Sequence, residues 1–188
     1  DNASLTGVFT AEMPTMDKAQ FHVESAAMGE NGTPILITQS EYMRRMKDAS
    51  RYQQGMSFYG EMPDMYNVVL NADHRLIKEV LADMKSQLAD KLQPIESELK
   101  GLHARHTAIE QSQKDKKPEE LTDADKEDMK KCNDDIAAQE EARKQVWAEY
   151  GKQNPVVPQL IDLALLQNGL LRGEALSKFI NRSVDLIK

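Results

Sequence analysis

The chain has 188 residues, 40% of them apolar and 29% charged, with 31 acidic against 24 basic side chains and a formal charge of −7. That size suits one domain, or one domain with a large insertion, and the acidic balance argues against a nucleic-acid partner. No apolar run approaches the roughly 18–20 residues that cross a bilayer. The first residues lack a signal peptide's basic start and apolar stretch, and the single cysteine, Cys132, excludes an internal disulfide framework. A cytoplasmic setting without a membrane partner is the expectation.

The first 84 residues read as mixed α and β. Phe21 to Ala26 alternates like a strand with one face buried. Gly29-Glu30-Asn31-Gly32 supplies turn chemistry, with Asn31-Gly32 suited to positive φ. Ile35 to Thr38 is a short apolar run, expected to be a strand buried on both faces. Ser40 stands where an N-cap belongs, before a helix from Glu41. Met65 to Asn71 reads as a third strand, and Asp73 is placed to cap the helix after it.

That helix, from about His74, carries an a/d seam of Leu81, Met84, Leu88, Leu92, Ile95, Leu99, Leu102, His106 and Ile109. Pro94 interrupts it, and a kink is expected there. After a polar turn at 114–120, Thr122 and Asp125 open a second helix in a relative of the capping box. Its seam is poorer: Met129, Cys132, Ile136, Gln139, Arg143, Val146 and Tyr150. Two similar arms and a short turn predict an antiparallel helical hairpin over 86–150, inserted within a single domain spanning 1–188.

Two helices should end the chain. Pro158 fits the first helical position of one, and Asn168-Gly169 supplies a left-handed stop. Polar residues between Val156 and Gln167 are confined to a narrow strip, so this helix must be covered from several sides, and a partner chain is the economical cover. The last helix carries a stripe of Leu176, Phe179, Ile180, Val184 and Ile187.

Little here points to catalysis. No phosphate-cradling glycine loop or nucleophile elbow is present. His103 and His106 share a helix face without a carboxylate to complete a metal site, and Cys132 reads as a packed thiol. No metal, cofactor or enzymatic activity is expected of the chain. The methionines say more. Met43, Met46, Met56, Met62 and Met65 interleave with Tyr42, Tyr52, Phe58, Tyr59 and Tyr66. Methionine adapts its shape and is overused on surfaces that bind many partners, although a Met-rich local core is the plainer reading of composition. The helix from Glu41 sets Tyr42, Met43, Met46 and Ala49 on one side and Arg44, Arg45, Lys47 and Arg51 on the other.

Ile37 to Met46, Met56 to Pro63, Asn71-Ala72-Asp73-His74, Gln159 to Leu166 and Gly173 to Ile187 stand in an order and spacing that resembles the C-terminal domain of bacterial heat-shock protein 90 chaperones. The resemblance covers 17–84 and 153–188; no function transfers onto 86–150. It implies an α+β fold: a small mixed sheet with helices, ending in a helix pair that forms a four-helix bundle in a homodimer. The implied dimer residues are Leu160, Leu163, Ala164, Leu165, Leu166, Leu176, Phe179, Ile180, Val184 and Ile187. The implied client-protein contacts are Tyr42, Met43, Met46, Ala49, Met56, Phe58, Tyr59 and Met62. ATP and Mg would belong to domains that this chain lacks. Two other readings stay open: a coiled-coil adaptor that dimerises and binds a partner through the charged hairpin, and a regulatory domain of an enzyme whose catalytic part lies elsewhere.

Overall fold

The computed structural model describes residues 2–50, 62–114 and 122–187. The described elements are α1 (Asn2–Glu12), β1 (Ala19–Ala26), β2 (Ile35–Gln39), α2 (Glu41–Ser50), β3 (Asp64–Asn71), α3 (Arg75–Gln113), α4 (Asp123–Gln153), α5 (Val156–Gln167) and α6 (Gly173–Ile187). The chain divides into two compact units, one of residues 1–84 and 148–188, the other of residues 85–147.

In the first unit the strands form a mixed sheet in the order β1-β3-β2. β3 is the central strand, and Val68 and Leu70 on it are buried. It pairs in parallel with β1 and antiparallel with β2, and Val23, Val68 and Ile37 fall in one row. That face is the inner one: Ile35, Ile37, Val68 and Leu70 are buried, and Phe21 stacks on Tyr66 with ring centroids 5.6 Å apart. The other face is open. β2 is therefore not buried on both sides, since Leu36 is 43% exposed. Its run is apolar, but only one face of this small sheet is covered.

The connections are set by close polar contacts. Gly29, with φ of 80°, takes the left-handed conformation that Asn31-Gly32 was expected to supply. Gly32 is needed for another reason: a Cβ there would lie 2.9 Å from Asn71 Nδ2. The Asn71 side chain is fully buried. Its Oδ1 accepts from the amides of Met28 and Asp73, both at 3.1 Å, and its Nδ2 donates to the carbonyls of Gly29 at 2.8 Å and Thr33 at 3.2 Å. Asp73 does not cap α3, because its carboxylate accepts from the Gly29 amide at 2.9 Å. The cap is His74, whose Nδ1 accepts from the Leu76 amide at 3.2 Å.

α1 is a helix that the sequence reading did not anticipate. Thr6, Gly7 and Thr10 are weak helix formers, so packing must supply its stability. Leu5, Val8 and Phe9 are buried, each worth about 1.5–3 kcal/mol relative to exposure. They set α1 against β1 and α5. α5 is thus covered on its inner side by α1 and β2, and Val157, Leu160, Ile161, Ala164 and Leu165 are buried within the chain itself.

α5 begins differently from expectation. Asn154 Oδ1 accepts from the amides of Val156 and Val157 at 2.9 and 3.3 Å, and the helix starts at Val156 directly after Pro155, so Pro158 stands within its first turn and not at its first position. The expected stop at Asn168-Gly169 is present: Gly169 has φ of 68°, and Leu170 donates back to the Leu165 carbonyl at 2.9 Å. Near the start of α3, Tyr150 donates to Asp83 Oδ2 at 2.7 Å and accepts from Asn154 Nδ2 at 2.8 Å. Burial, with the Asp83 carboxylate beside it, pushes the Tyr150 phenol far above its ordinary pKa.

In the second unit, α3 and α4 pair through Cys132 Sγ to the Leu102 carbonyl at 3.5 Å, Arg105 with Asp128 at 3.7 Å, and Gln113 Nε2 to the Asp125 carbonyl at 3.1 Å. One set of numbers falls as the other rises, the order of antiparallel helices. Leu88, Leu92 and Leu99 are buried on the seam, as is Cys132. Trp147, absent from the predicted seam, is also buried, with the Arg143 guanidinium 4.9 Å above its ring. Thr122 and Asp125 cap α4 reciprocally, at 3.1 and 3.0 Å. α3 runs through Pro94 without ending, and its 39 residues fill the predicted span from about His74 to the turn at 114, while α4 continues to Gln153.

Three substitutions separate these contacts. Asn71→Ala leaves buried amides and carbonyls without partners and should cost at least the roughly 1–3 kcal/mol of one unsatisfied buried group. His74→Ala should cost about 1 kcal/mol, and His74→Asp, which restores an N-cap acceptor, much less. Urea denaturation of the three variants checks the ranking.

Candidate functional site

The described residues singled out by sequence fall on α2, at Met62 just before β3, and on the α5–α6 pair. Ser40 caps α2, its Oγ accepting from the Met43 amide at 3.4 Å. Glu41 pairs with Arg45 at 2.9 Å and Arg44 at 3.4 Å. Those pairs are well exposed and contribute little. The firmer anchor is Lys47, less exposed, which donates to the Met62 carbonyl at 3.1 Å and to Asp64 at 2.9 Å. No side chain of α2 is fully buried. Met43, Met46 and Ala49 are half-buried, and Tyr42 is 66% exposed. Met43 and Met62 line a shallow crevice with Gln39, Pro63 and Met65. Met56, Phe58 and Tyr59 lie outside the described residues.

α6 packs on α5 through polar side chains. Gln159 Nε2 donates to Ser183 Oγ at 2.6 Å, Arg182 Nε donates to Gln159 Oε1 at 3.2 Å, and the Arg182 guanidinium pairs with Asp162. This strip turns the α6 stripe outward: Ile180 is 51%, Val184 50% and Ile187 85% exposed, while Leu176 and Phe179 are half-buried. On α5, Leu163 and Leu166 are exposed, whereas Leu160, Ala164 and Leu165 belong to the chain's own interior. The apolar surface therefore comes from five of the ten residues named for the dimer, with two more at its margin. Leu36 and Met65, outside the residues named for clients or the dimer, are also exposed, both on the open sheet face. The alternation of Leu36 with Ile35 and Ile37, and of Met65 with Tyr66, was visible, but only the strand order reveals which face is covered.

Among the described residues, no group of three or more His, Cys, Asp or Glu side chains could hold a metal ion. No described helix is long and apolar enough to cross a membrane.

No family model matches the chain, and no solved structure matches it. Its similarity to known proteins is nevertheless high along its whole length. It is 48% identical over 187 residues to the chaperone protein HtpG of Bacteroides fragilis, which covers 98% of the chain. It is 45% identical over 184 residues to that of Bacteroides thetaiotaomicron, again covering 98%. It is 42% identical over 187 residues to that of Porphyromonas gingivalis, covering 100%. The chain spans 27% of the length of each of these relatives. Together with the ordered motifs and the α+β fold, this places the chain among the heat-shock protein 90 chaperones. Within them it belongs to the HtpG family, and its share of the relatives' length is in keeping with the C-terminal domain that its motifs resemble.

The two classes of apolar residue should separate in stability. Tyr42→Ser should change unfolding free energy by no more than about 0.5 kcal/mol. Leu165→Glu, which buries an uncompensated charge, should cost at least about 3 kcal/mol. Thermal melts followed by circular dichroism check the contrast.

Proposed function

We propose that the chain is the dimerisation and client-contacting domain of an ATP-dependent chaperone that assists protein folding in the cytoplasm. The observation that carries the dimer is the outward apolar row of Ile180, Val184 and Ile187, with Leu163 and Leu166 exposed on α5. Two copies related by a two-fold axis can cover these rows as a four-helix bundle, with Leu176 and Phe179 at the margin. Burying such side chains gains about 1.5–3 kcal/mol each when complete, against several kcal/mol lost in rigid-body freedom. Client proteins, unfolded or partly folded, meet α2 through Tyr42, Met43 and Met46, with Met62 beside them. ATP binding and hydrolysis belong to the part of the relatives that this chain does not cover. Residues 86–150 form an inserted hairpin, a reading supported by the compactness of residues 85–147.

Sedimentation equilibrium should find a dimer at tens of micromolar for the wild type and a monomer for Ile180→Glu, with an unchanged circular dichroism spectrum. A monomeric wild type defeats the dimer. Suppression of client aggregation should weaken in Tyr42→Ser/Met46→Ser while the chain remains dimeric; unaltered suppression counts against α2 as the contact.

A further inference from the structure

Glu12 is the last residue of α1, and its side chain lies on Gly151 in the final turn of α4. The bare glycine admits it, since a Cβ at 151 would stand 2.5 Å from Glu12 Cγ and 3.0 Å from Cδ. In that position Glu12 Oε1 is enclosed and has no hydrogen-bond partner among the described residues. The final turn of a helix presents unsatisfied carbonyls and a partial negative charge. An ionised carboxylate here ends one helix and rests against the end of another, the wrong sign in both places.

The surrounding charges do not compensate. On β1, His22 and Glu24 lie on the exposed face. On α5, Asp162 is paired with Arg182. On α4, Glu149 is exposed and Tyr150 is bonded to Asp83. Lys152 is the opposing charge, and it is exposed, so solvent screens its attraction. Burial outweighs Lys152 and raises the Glu12 pKa.

We propose that Glu12 is a proton-operated latch: protonated, it seats the end of α1 on α4; ionised, it loosens α1 and uncovers the face of α5 that α1 packs against. A carboxyl with a raised folded-state pKa binds its proton more tightly in the native state. Its contribution is complete below the unfolded value and is lost as pH rises through the folded value.

Carboxyl-detected NMR titration and amide exchange across α1 test this on the whole chain. The Glu12 midpoint should stand above the ordinary glutamate value. Exchange protection of Leu5, Val8 and Phe9, corrected for intrinsic rate, should fall as pH rises in the wild type and stay level in Glu12→Gln. Gly151→Ala should displace Glu12 and return its midpoint to the ordinary value. A wild-type midpoint at or below the ordinary value overturns the latch, as does loosening that is the same with and without the carboxyl. The wild-type titration decides alone if the variants fail to fold.

Discussion

The buried carboxamide of Asn71 is the constraint on which the first unit depends. It sits at the end of the central strand, and both its lone-pair sites and both its protons are occupied by backbone groups. Three of those partners belong to the β1–β2 connection and the fourth to the turn before α3. One side chain therefore sets how the edge strands are joined and where the long helix starts. Its demands spread to its neighbours. Gly32 must lack a Cβ, Gly29 must be left-handed, and Asp73 is drawn to the Gly29 amide, leaving His74 to cap α3. A buried polar group of this kind is stabilising only when every one of its bonds is made, which ties all four positions to one arrangement.

With the start of α3 fixed, Ile77, Val80 and Met84 are carried into the core. A second amide, Asn154, then does for the last helices what Asn71 does for the sheet. Its carbonyl caps α5, and its amide donates to the Tyr150 phenol, which is itself bonded to Asp83 on α3. The starts of α3 and α5 and the end of α4 are thus joined by side chains that cannot move singly without stranding a buried donor or acceptor.

Much of this was legible in the sequence. The alternation of β1, the Ser40 and Thr122 caps, the Asn168-Gly169 stop and the α3 seam each follow from local rules that hold whatever surrounds them. The Asn71-Ala72-Asp73-His74 segment was legible as a family signature but not as chemistry, because its roles depend on a loop some forty residues earlier. Three other features escaped local rules for want of long-range information. α1 has three buried residues but no long periodic face, so nothing marked it as a helix until β1 and α5 provided its cover. Once it is present, α5 no longer needs a partner chain to bury Leu160, Ala164 and Leu165. The two faces of β2 could not be told apart without knowing that only one side of the sheet is packed.

The two surfaces proposed as partner contacts share a physical feature that distinguishes them from the rest of the unit. Helices usually dock by their apolar side and leave polar side chains to water, as α1 does with Leu5, Val8 and Phe9. α6 departs from this. Gln159, Asp162, Arg182 and Ser183 fasten it to α5, and its isoleucines and valine face outward. α2 is fastened chiefly by Lys47 and keeps Tyr42 in solvent. Polar fastening fixes each helix by direction and distance and leaves part of its apolar surface exposed. The exposed rows then remain costly in the isolated chain, which is the condition under which a partner that covers them gains the most. The inward side sets where each helix stands, and the outward side keeps Tyr42, Ile180, Val184 and Ile187 exposed.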